Sequence, residues 1–532
     1  GGFPLGIGWA VDRFGAGLAA LVLVLLTAAL VYSWRYLEGD RYLYVVLMLG
    51  FGGAMAGFAL SGDIFNMFVF FELMSVAAYA LTAYNVEEKS PLQGSFNFAV
   101  AQTIGGFLVL IGIALLYGRT GALNLAEIGA RLSHEGRHDG VVVSAFALVT
   151  CGFLGKAALV PFHFWHADAH AAAPAPVAAL FSGVMLELGV YAVARIYWVV
   201  FSGALAGFEH PVRDVLLGIG AVTAVLGALM TGLQRHVKRL LAYSTIAHMG
   251  CFLIGVALLS PAALGGAAVY VIVHAFAKSA LFLVGGVLLV TRGGIDELLL
   301  HGLGRRLHVA AVTWFLATLA LASPPFLGTY TAHALIDDSA SGLGYRWVPV
   351  VLAFASIAST AAIFRAGLRI FVGAGDADDP ILSQEPSDSP PPLEHPQLVT
   401  MLGVSLLLAL AGLAAGAWTG LATRAVAAAH TFTDRLGYAS AVLQHRAPPV
   451  PPPEAWHTTT SSLVWASVTL AGALAVGFVS VYRNRMPQRL TDALGAAYAP
   501  LRAIHSGNIA DYVAWLTFGV AVIGGLFAVT IR

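Results

Sequence analysis

Seven ionisable side chains lie inside long apolar stretches: Glu72, Lys156, Glu187, His248, His274, Lys278 and His333. Lys238 lies at the mouth of the span that holds His248. A lysine near the middle of a bilayer costs about 2.5–3.5 kcal/mol on insertion scales, so such residues are functional by default. Their types suit proton transfer. A lone buried carboxylate simply becomes protonated. Facing a buried amine it stays charged, and separating the pair changes both proton affinities. Lysine shifts its proton affinity readily on burial, and histidine titrates near neutrality and serves in relays. Glu72, in "FNMFVFFELMSVAAYAL", is expected to pair with Lys156. His274 and Lys278, four apart in "VIVHAFAKSALFL", share one helix face. His333 extends the polar file. Glu187 follows Lys156 by one broken helix and a Pro-rich turn, enough chain to bring the next helix back antiparallel, so these two are expected to meet at one depth. Glu187 also offers a hard oxygen ligand to a cation such as sodium.

Other polar residues have blander readings. His163, His166 and His170 have helical spacing that, with Asp168, could line a zinc site. The adjacent Pro and Ala runs favour a loop instead, and no metal centre is expected. Arg365 and Arg369 are expected to anchor a helix end by snorkelling, and Asp63 and Asn66 to cap a helix. The two cysteines, Cys151 and Cys251, are too few for a disulfide framework or a cysteine-ligated cluster. No cofactor is expected, and any redox centre of a larger assembly belongs to another chain.

The elements that must hold these residues are membrane helices. Of the 532 residues, 58% are hydrophobic and 11% charged, against about 25% charged in soluble domains. Net charge is zero, which gives no reason to expect a nucleic-acid partner. The fold class is an all-α polytopic membrane protein. About fourteen stretches have the length needed to span a bilayer: 15–34, 43–62, 64–84, 97–117, 141–165, 176–201, 214–233, 239–259, 265–294, 309–330, 347–372, 398–424, 461–482 and 510–530. Pro161 interrupts the fifth, and Ser323, Pro324 and Pro325 interrupt the tenth. Broken helices at related places in two halves of a chain point to inverted repeats around a transport site.

Five regions follow: a lead and first span (1–42), a first half (43–201), a second half (214–372), an acidic Pro-rich loop (373–397) and C-terminal spans (398–532). The last region holds a polyproline stretch (446–456) and an amphipathic segment (486–508) suited to the membrane surface. Basic clusters at 234–239, 304–308 and 482–489 place those loops in the cytoplasm and the first residue outside. No signal peptide is expected from the opening residues. It does not begin with Met, and its natural start is expected to lie further upstream.

Four segments resemble the antiporter-type proton-translocating subunits shared by respiratory complex I, membrane-bound hydrogenases and multi-subunit Mrp sodium/proton antiporters. They are "GDIFNMFVFFELMSVAAYAL", "GKAALVPFHFWHADAHAAAPAPVAAL", "VKRLLAYSTIAHMG" and "HAFAKSALFL", and "GTYTAHALIDD" extends the likeness. "GDIFNMFVFFE" with "GALNLAEI" is most similar to the Mrp D subunit. The resemblance implies two face-to-face inverted repeats of five helices and a hydrated polar axis at mid-membrane. It implies that Glu72 modulates Lys156, and that Lys238, His274 and Lys278 serve the central connection and second half-channel. Glu187 stands where many relatives have lysine, and His333 where they have lysine or glutamate. The implied function is ion translocation in an Mrp-like sodium/proton antiporter, the alternative a proton-pumping subunit of a complex I-like or hydrogenase complex. Its partners would be other membrane subunits, the bilayer, protons and sodium, in a prokaryotic plasma membrane.

Overall fold

A computed structural model describes residues 7–35, 41–84, 89–135, 139–376, 379, 382, 398–444, 446, 458–485, 487, 489, 495–496, 498–501 and 507–531. The acidic Pro-rich loop, the polyproline stretch and the amphipathic 486–508 segment fall largely outside the described residues. Twelve described helices are long and apolar enough to cross a membrane. Two shorter apolar helices, Gly140–Lys156 and His308–Leu321, occupy the two interrupted spans. Together they coincide with the fourteen stretches expected from the sequence.

The helices run in chain order as α1 (Arg13–Tyr32), α2 (Arg41–Leu60), α3 (Ile64–Thr82), α4 (Lys89–Thr120), α5 (Leu125–Glu135), α6 (Gly140–Lys156), α7 (Phe164–Ala172) and α8 (Ala175–Phe201). Then follow α9 (Glu209–Leu233), α10 (Val237–Ala257), α11 (Pro261–Arg292), α12 (His308–Leu321), α13 (Tyr330–Gly342) and α14 (Val348–Val372). The last are α15 (Leu398–Ala417), α16 (Thr419–Thr433), α17 (Arg435–Gln444), α18 (Thr460–Val481) and α19 (Ile509–Thr530). Several begin at a polar cap, which satisfies amide groups that have no partner within the helix. Asp12 accepts from the Gly15 amide at 2.7 Å, and Asp63 from the Asn66 amide at 2.9 Å, so Asp63 caps α3 as expected. Asn66 instead donates its side chain to Ser61.

Both breaks have a backbone that is satisfied inside the protein, as apolar surroundings demand. At the first, Ala158 is left-handed (φ 51°). The Leu159 amide donates to Leu154 O, and Val160 N donates to Thr223 Oγ1 on α9 at 3.1 Å. At the second, Ser323, Phe326 and Gly328 take positive φ, and Thr329 N donates to Ala320 O at 3.0 Å. Gly328 is needed twice over. Its φ is 55°, and a Cβ would strike the Ala320 backbone.

The packing of the two halves is parallel. In the first, α4 packs on α3 and on both pieces of the broken span, α6 and α7. In the second, α11 packs on α10 and on both pieces, α12 and α13. Each break also has a C-terminal helix beside it. The α19 residue Gly519 lies against Pro161 and Phe162, and Phe527 meets Phe146 of α6. The helix α18 packs on α13 and α14. Among the twelve described spans the most deeply buried are α8 and α10, whose apolar windows are covered throughout by protein.

Candidate functional site

The first break creates the first charge site. Lys156 is the last residue of α6, so its ammonium projects where the helix stops. It is 1% exposed and donates to Ser75 Oγ of α3 at 2.8 Å, with the Phe71 ring 4.8 Å away. Ser75 lies one turn beyond Glu72, so the hydroxyl that holds Lys156 and the Glu72 carboxylate share one face of α3. Glu72 itself is only partly buried. Its Oε1 lies against Gly106 of α4, where any Cβ would collide with it. A glycine at 106 therefore makes the room for this carboxylate.

The second site lies between the halves. Glu187, on α8, approaches His274 Nδ1 of α11 at 3.1 Å, both groups being buried. Lys278 lies one turn along α11 and donates to Leu241 O at 3.0 Å and Ser244 Oγ of α10 at 2.6 Å. Glu187 thus meets the α11 face that carries His274 and Lys278, whereas Lys156 reaches Ser75 of α3. This corrects one expectation. Lys156 and Glu187 do not form the pair their spacing suggested. After the turn, α8 presents Glu187 to α11, while Lys156 faces α3. Glu187 also lines a mostly apolar cleft of about 520 Å³, walled by α1, α8, α10, α11 and α16.

From Glu187 the polar file continues across the second half. The His274 and His248 rings are 5.1 Å apart, and His248 Nδ1 lies 2.8 Å from Tyr270 OH. The Tyr270 ring is 4.8 Å from that of His333, on α13 just past the second break. Tyr270 and Ser75 were not singled out from the sequence. Tyrosine and serine are too common in membrane helices to be noticed, although Tyr270 precedes His274 by one turn.

Lys238 plays a different part. Its ammonium donates to the Ala171 and Ala173 carbonyls at 3.3 and 2.9 Å, at the C-terminal end of α7. A cation there complements the helix dipole, and it brings Lys238 near His170. The expected loop at 163–170 is mostly helical, as α7. The His166 and His170 rings meet at a tilt of 59° with centres 3.9 Å apart. Asp168 instead accepts from Tyr512 OH of α19 at 2.8 Å and pairs with Arg239. Among the described residues no cluster of three or more His, Cys, Asp or Glu is arranged to hold a metal.

Arg365 and Arg369 also depart from expectation. They do not snorkel; each is 1% exposed. Arg369 reaches Glu297 at 2.6 Å and Asp379 at 2.8 Å, Arg365 reaches Glu297 at 3.1 Å, and Arg483 pairs with Asp379 at 2.6 Å. Burial disfavours the Asp379 charge, but Arg483 and Arg369 outweigh it and hold this carboxyl below its ordinary range. The network fastens the end of α14 to the loop before α12 and to the end of α18.

The comparisons with known proteins agree with this geometry. Residues 61–361 match the family model described as NADH:quinone oxidoreductase/Mrp antiporter, transmembrane. That stretch contains every charged residue of the file. The chain is 31% identical over 368 residues to the NADH-quinone oxidoreductase N subunit of Desulforudis audaxviator, covering 68% of this chain and 72% of the relative. It is 29% identical over 377 residues to the Na(+)/H(+) antiporter D subunit of Bacillus subtilis, covering 70% and 74%. Among solved structures, it superposes on a chain of the Mrp complex from Dietzia sp. with a TM-score of 0.71 and 26% identity, over 82% of this chain and 87% of that one. A chain of the archaeal membrane-bound sulfane sulfur reductase gives the same score and identity, over 83% and 87%. The chain therefore belongs to the family of NADH:quinone oxidoreductase/Mrp antiporter membrane subunits.

Proposed function

We propose that this chain is the ion-translocating membrane subunit of a multi-subunit Mrp-like cation/proton antiporter. It would work beside other membrane subunits in a prokaryotic plasma membrane, with sodium as the exchanged cation. The observation that carries this reading is the pairing of two Lys–Ser–carboxylate sites with a histidine–tyrosine file across two broken helices. Lys156, Ser75 and Glu72 make the first site, and Lys278, Ser244 and Glu187 the second. His274, His248 and Tyr270 lead from the second site to His333. Lys238 supports the path from the end of α7.

The chemistry follows from the arrangement. A proton arriving at Glu72 removes the negative charge that favours the charged form of Lys156, and Lys156 then releases its proton more easily. The same logic operates at Glu187, whose carboxylate supports charge on both Lys278 and His274. Each site favours separated charges only while its partner is ionised, so a change at one pair passes to the next.

A second reading has its own support, the likeness to the NADH-quinone oxidoreductase N subunit. There the same path would be driven by redox chemistry on other chains. Purification of the native assembly separates the two: iron–sulfur or flavin subunits mean a redox pump, and small membrane subunits alone mean an antiporter. Translocation itself is tested in inverted vesicles by sodium-induced collapse of a pH gradient. Lys156→Ala is expected to abolish it while the assembly still forms. Normal transport by that variant would overturn the proposed function.

A further inference from the structure

The polar file reaches His333 but does not end there. One turn further along α13 lies Asp337, a carboxylate 6% exposed, on the same helix face. Its Oδ1 has no hydrogen-bond partner, nor has His333 Nε2 or Ser323 Oγ. An unpaired buried polar atom is costly, so one is an exception that calls for a role. Here three occur at one place. They border a single cavity, whose polar wall is Ser323, Tyr330, His333, Asp337, Ser462 and Thr469. The space open to the centre of a water molecule is about 10 Å³, which is room for about one water. The two hydroxyl residues 462 and 469 belong to α18, and Ser462 Oγ lies 3.0 Å from Tyr330 OH.

We propose that Asp337 is the terminal proton-carrying group of the second half, exchanging protons between His333 and the cavity that α18 closes. This rests on the ion-translocating reading above. In the step, an N–H bond of protonated His333 breaks and an O–H bond forms on the Asp337 carboxylate, directly or through one water. Charge is conserved, because an imidazolium and a carboxylate become a neutral imidazole and a carboxyl. The titratable groups around Asp337 are Tyr330, His333 and Asp338 on its own helix, Tyr270 of α11 and Cys251 of α10. The α18 wall contributes Ser462, Trp465, Ala466 and Thr469 and no charge. Among the described residues, no lysine or arginine lines this cavity to hold the carboxylate permanently ionised.

The test uses the assembled complex in inverted vesicles. Asp337→Asn keeps the size and removes the titration, and it should cut proton transport at least tenfold with assembly intact. Asp337→Glu should restore much of the transport with a displaced pH profile, which a merely structural carboxylate would not produce. Unchanged transport in Asp337→Asn, beside an inactive Lys156→Ala, would overturn the role of Asp337 alone. Unchanged transport in both would overturn the translocation reading. A changed sodium dependence with an unmoved pH profile would make Asp337 a cation ligand and equally overturn the proposal. Should Asp337→Asn fail to assemble, the wild-type complex is treated with dicyclohexylcarbodiimide, which attacks protonated buried carboxyls, and digested for mass spectrometry. An adduct at Asp337 that is lost at alkaline pH is expected; its absence at all pH values would refute the assignment.

Discussion

The two broken spans have the same architecture and opposite contents. At the first, the helix stops on a lysine, and that lysine reaches a serine of the neighbouring α3, one turn from a glutamate. The adjoining C-terminal helix α19 covers the break with apolar and aromatic surface, including Gly519 and Phe527. At the second, no lysine is present. The resumed helix carries His333 and Asp337, and α18 covers them with hydroxyl groups. The repeat thus supplies a place where the backbone stops being self-sufficient, and the side chains decide what chemistry fills it. A fixed cation needs a nearby anion, whereas a histidine–carboxylate pair can be neutral at rest.

The ends of the halves show a similar contrast. The helices α8 and α14 close their halves, each finishing in a single π-helical turn. Each carries buried arginine. Arg195 of α8 pairs with Asp12, the cap of α1. Arg365 and Arg369 of α14 enter the larger network with Glu297, Asp379 and Arg483. Both devices tie a repeat to chain outside it. A buried ion pair is poor as a source of net stability but costly to break from one side.

The sharpest way to break the comparison is to remove the joint between the halves. Glu187→Gln leaves His274 and Lys278 without a buried counter-charge, and transport should fall by about 100-fold, equivalent to nearly 3 kcal/mol at a charged hydrogen bond. The pH profile of the remaining activity should shift; unaltered pH and sodium profiles would reduce Glu187 to a packing role. Next comes Gly106→Ala. The new methyl displaces the Glu72 carboxylate, so transport should fall about tenfold with little loss of assembly, on the scale of an overpacking cost of about 1–3 kcal/mol. Wild-type activity in Gly106→Ala would show that the position of Glu72 does not matter.

A smaller effect compares the two lysines. Ser75→Ala and Ser244→Ala each delete one partner of a buried ammonium and should lower transport several-fold, about 1 kcal/mol apiece. Ser75→Ala should be the more severe. Lys278 keeps the Leu241 carbonyl, whereas Lys156 loses the hydroxyl that accepts its hydrogen bond. Equal losses would contradict this asymmetry. The smallest expected effect on transport is that of Asp379→Asn, which should act on stability. The folded-state proton affinity of Asp379 is depressed, so its contribution is complete above the ordinary aspartate value of 3.8 and fades as pH falls through the lowered one. Acid should therefore speed proteolysis at the α14–α18 junction in the wild type. In Asp379→Asn the junction should be cut readily at neutral pH too, with little further change in acid. Identical cleavage of both proteins across this range would remove the network from the account of stability.

Much of this molecule was legible in its sequence because a bilayer imposes simple rules. Twenty apolar residues make a span, a proline ends a hydrogen-bonded run, and a charge in an apolar stretch has to be accounted for. Those rules located the spans, both breaks and the charged residues Glu72, Lys156, Glu187, His248, His274, Lys278 and His333. They did not say which charge meets which. Chain spacing suggested Lys156 with Glu187, but the facing of α8 is set by packing around its whole circumference, and that turns Glu187 toward His274. Nor did composition reveal why Arg365 and Arg369 are buried, since Glu297 and Arg483 lie far away in the chain and Asp379 stands in the loop past the helix end. Asp337 was hidden by a similar ambiguity. In "HALIDD" it reads as the polar end of a helix, and only the seating of α18 over the second break encloses it. Sequence by itself determined where the membrane would tolerate no idle polar group. Tertiary structure alone decided the partners, because long-range contacts depend on the rotation of each helix about its own axis, which apolar periodicity fixes only loosely when every face is buried.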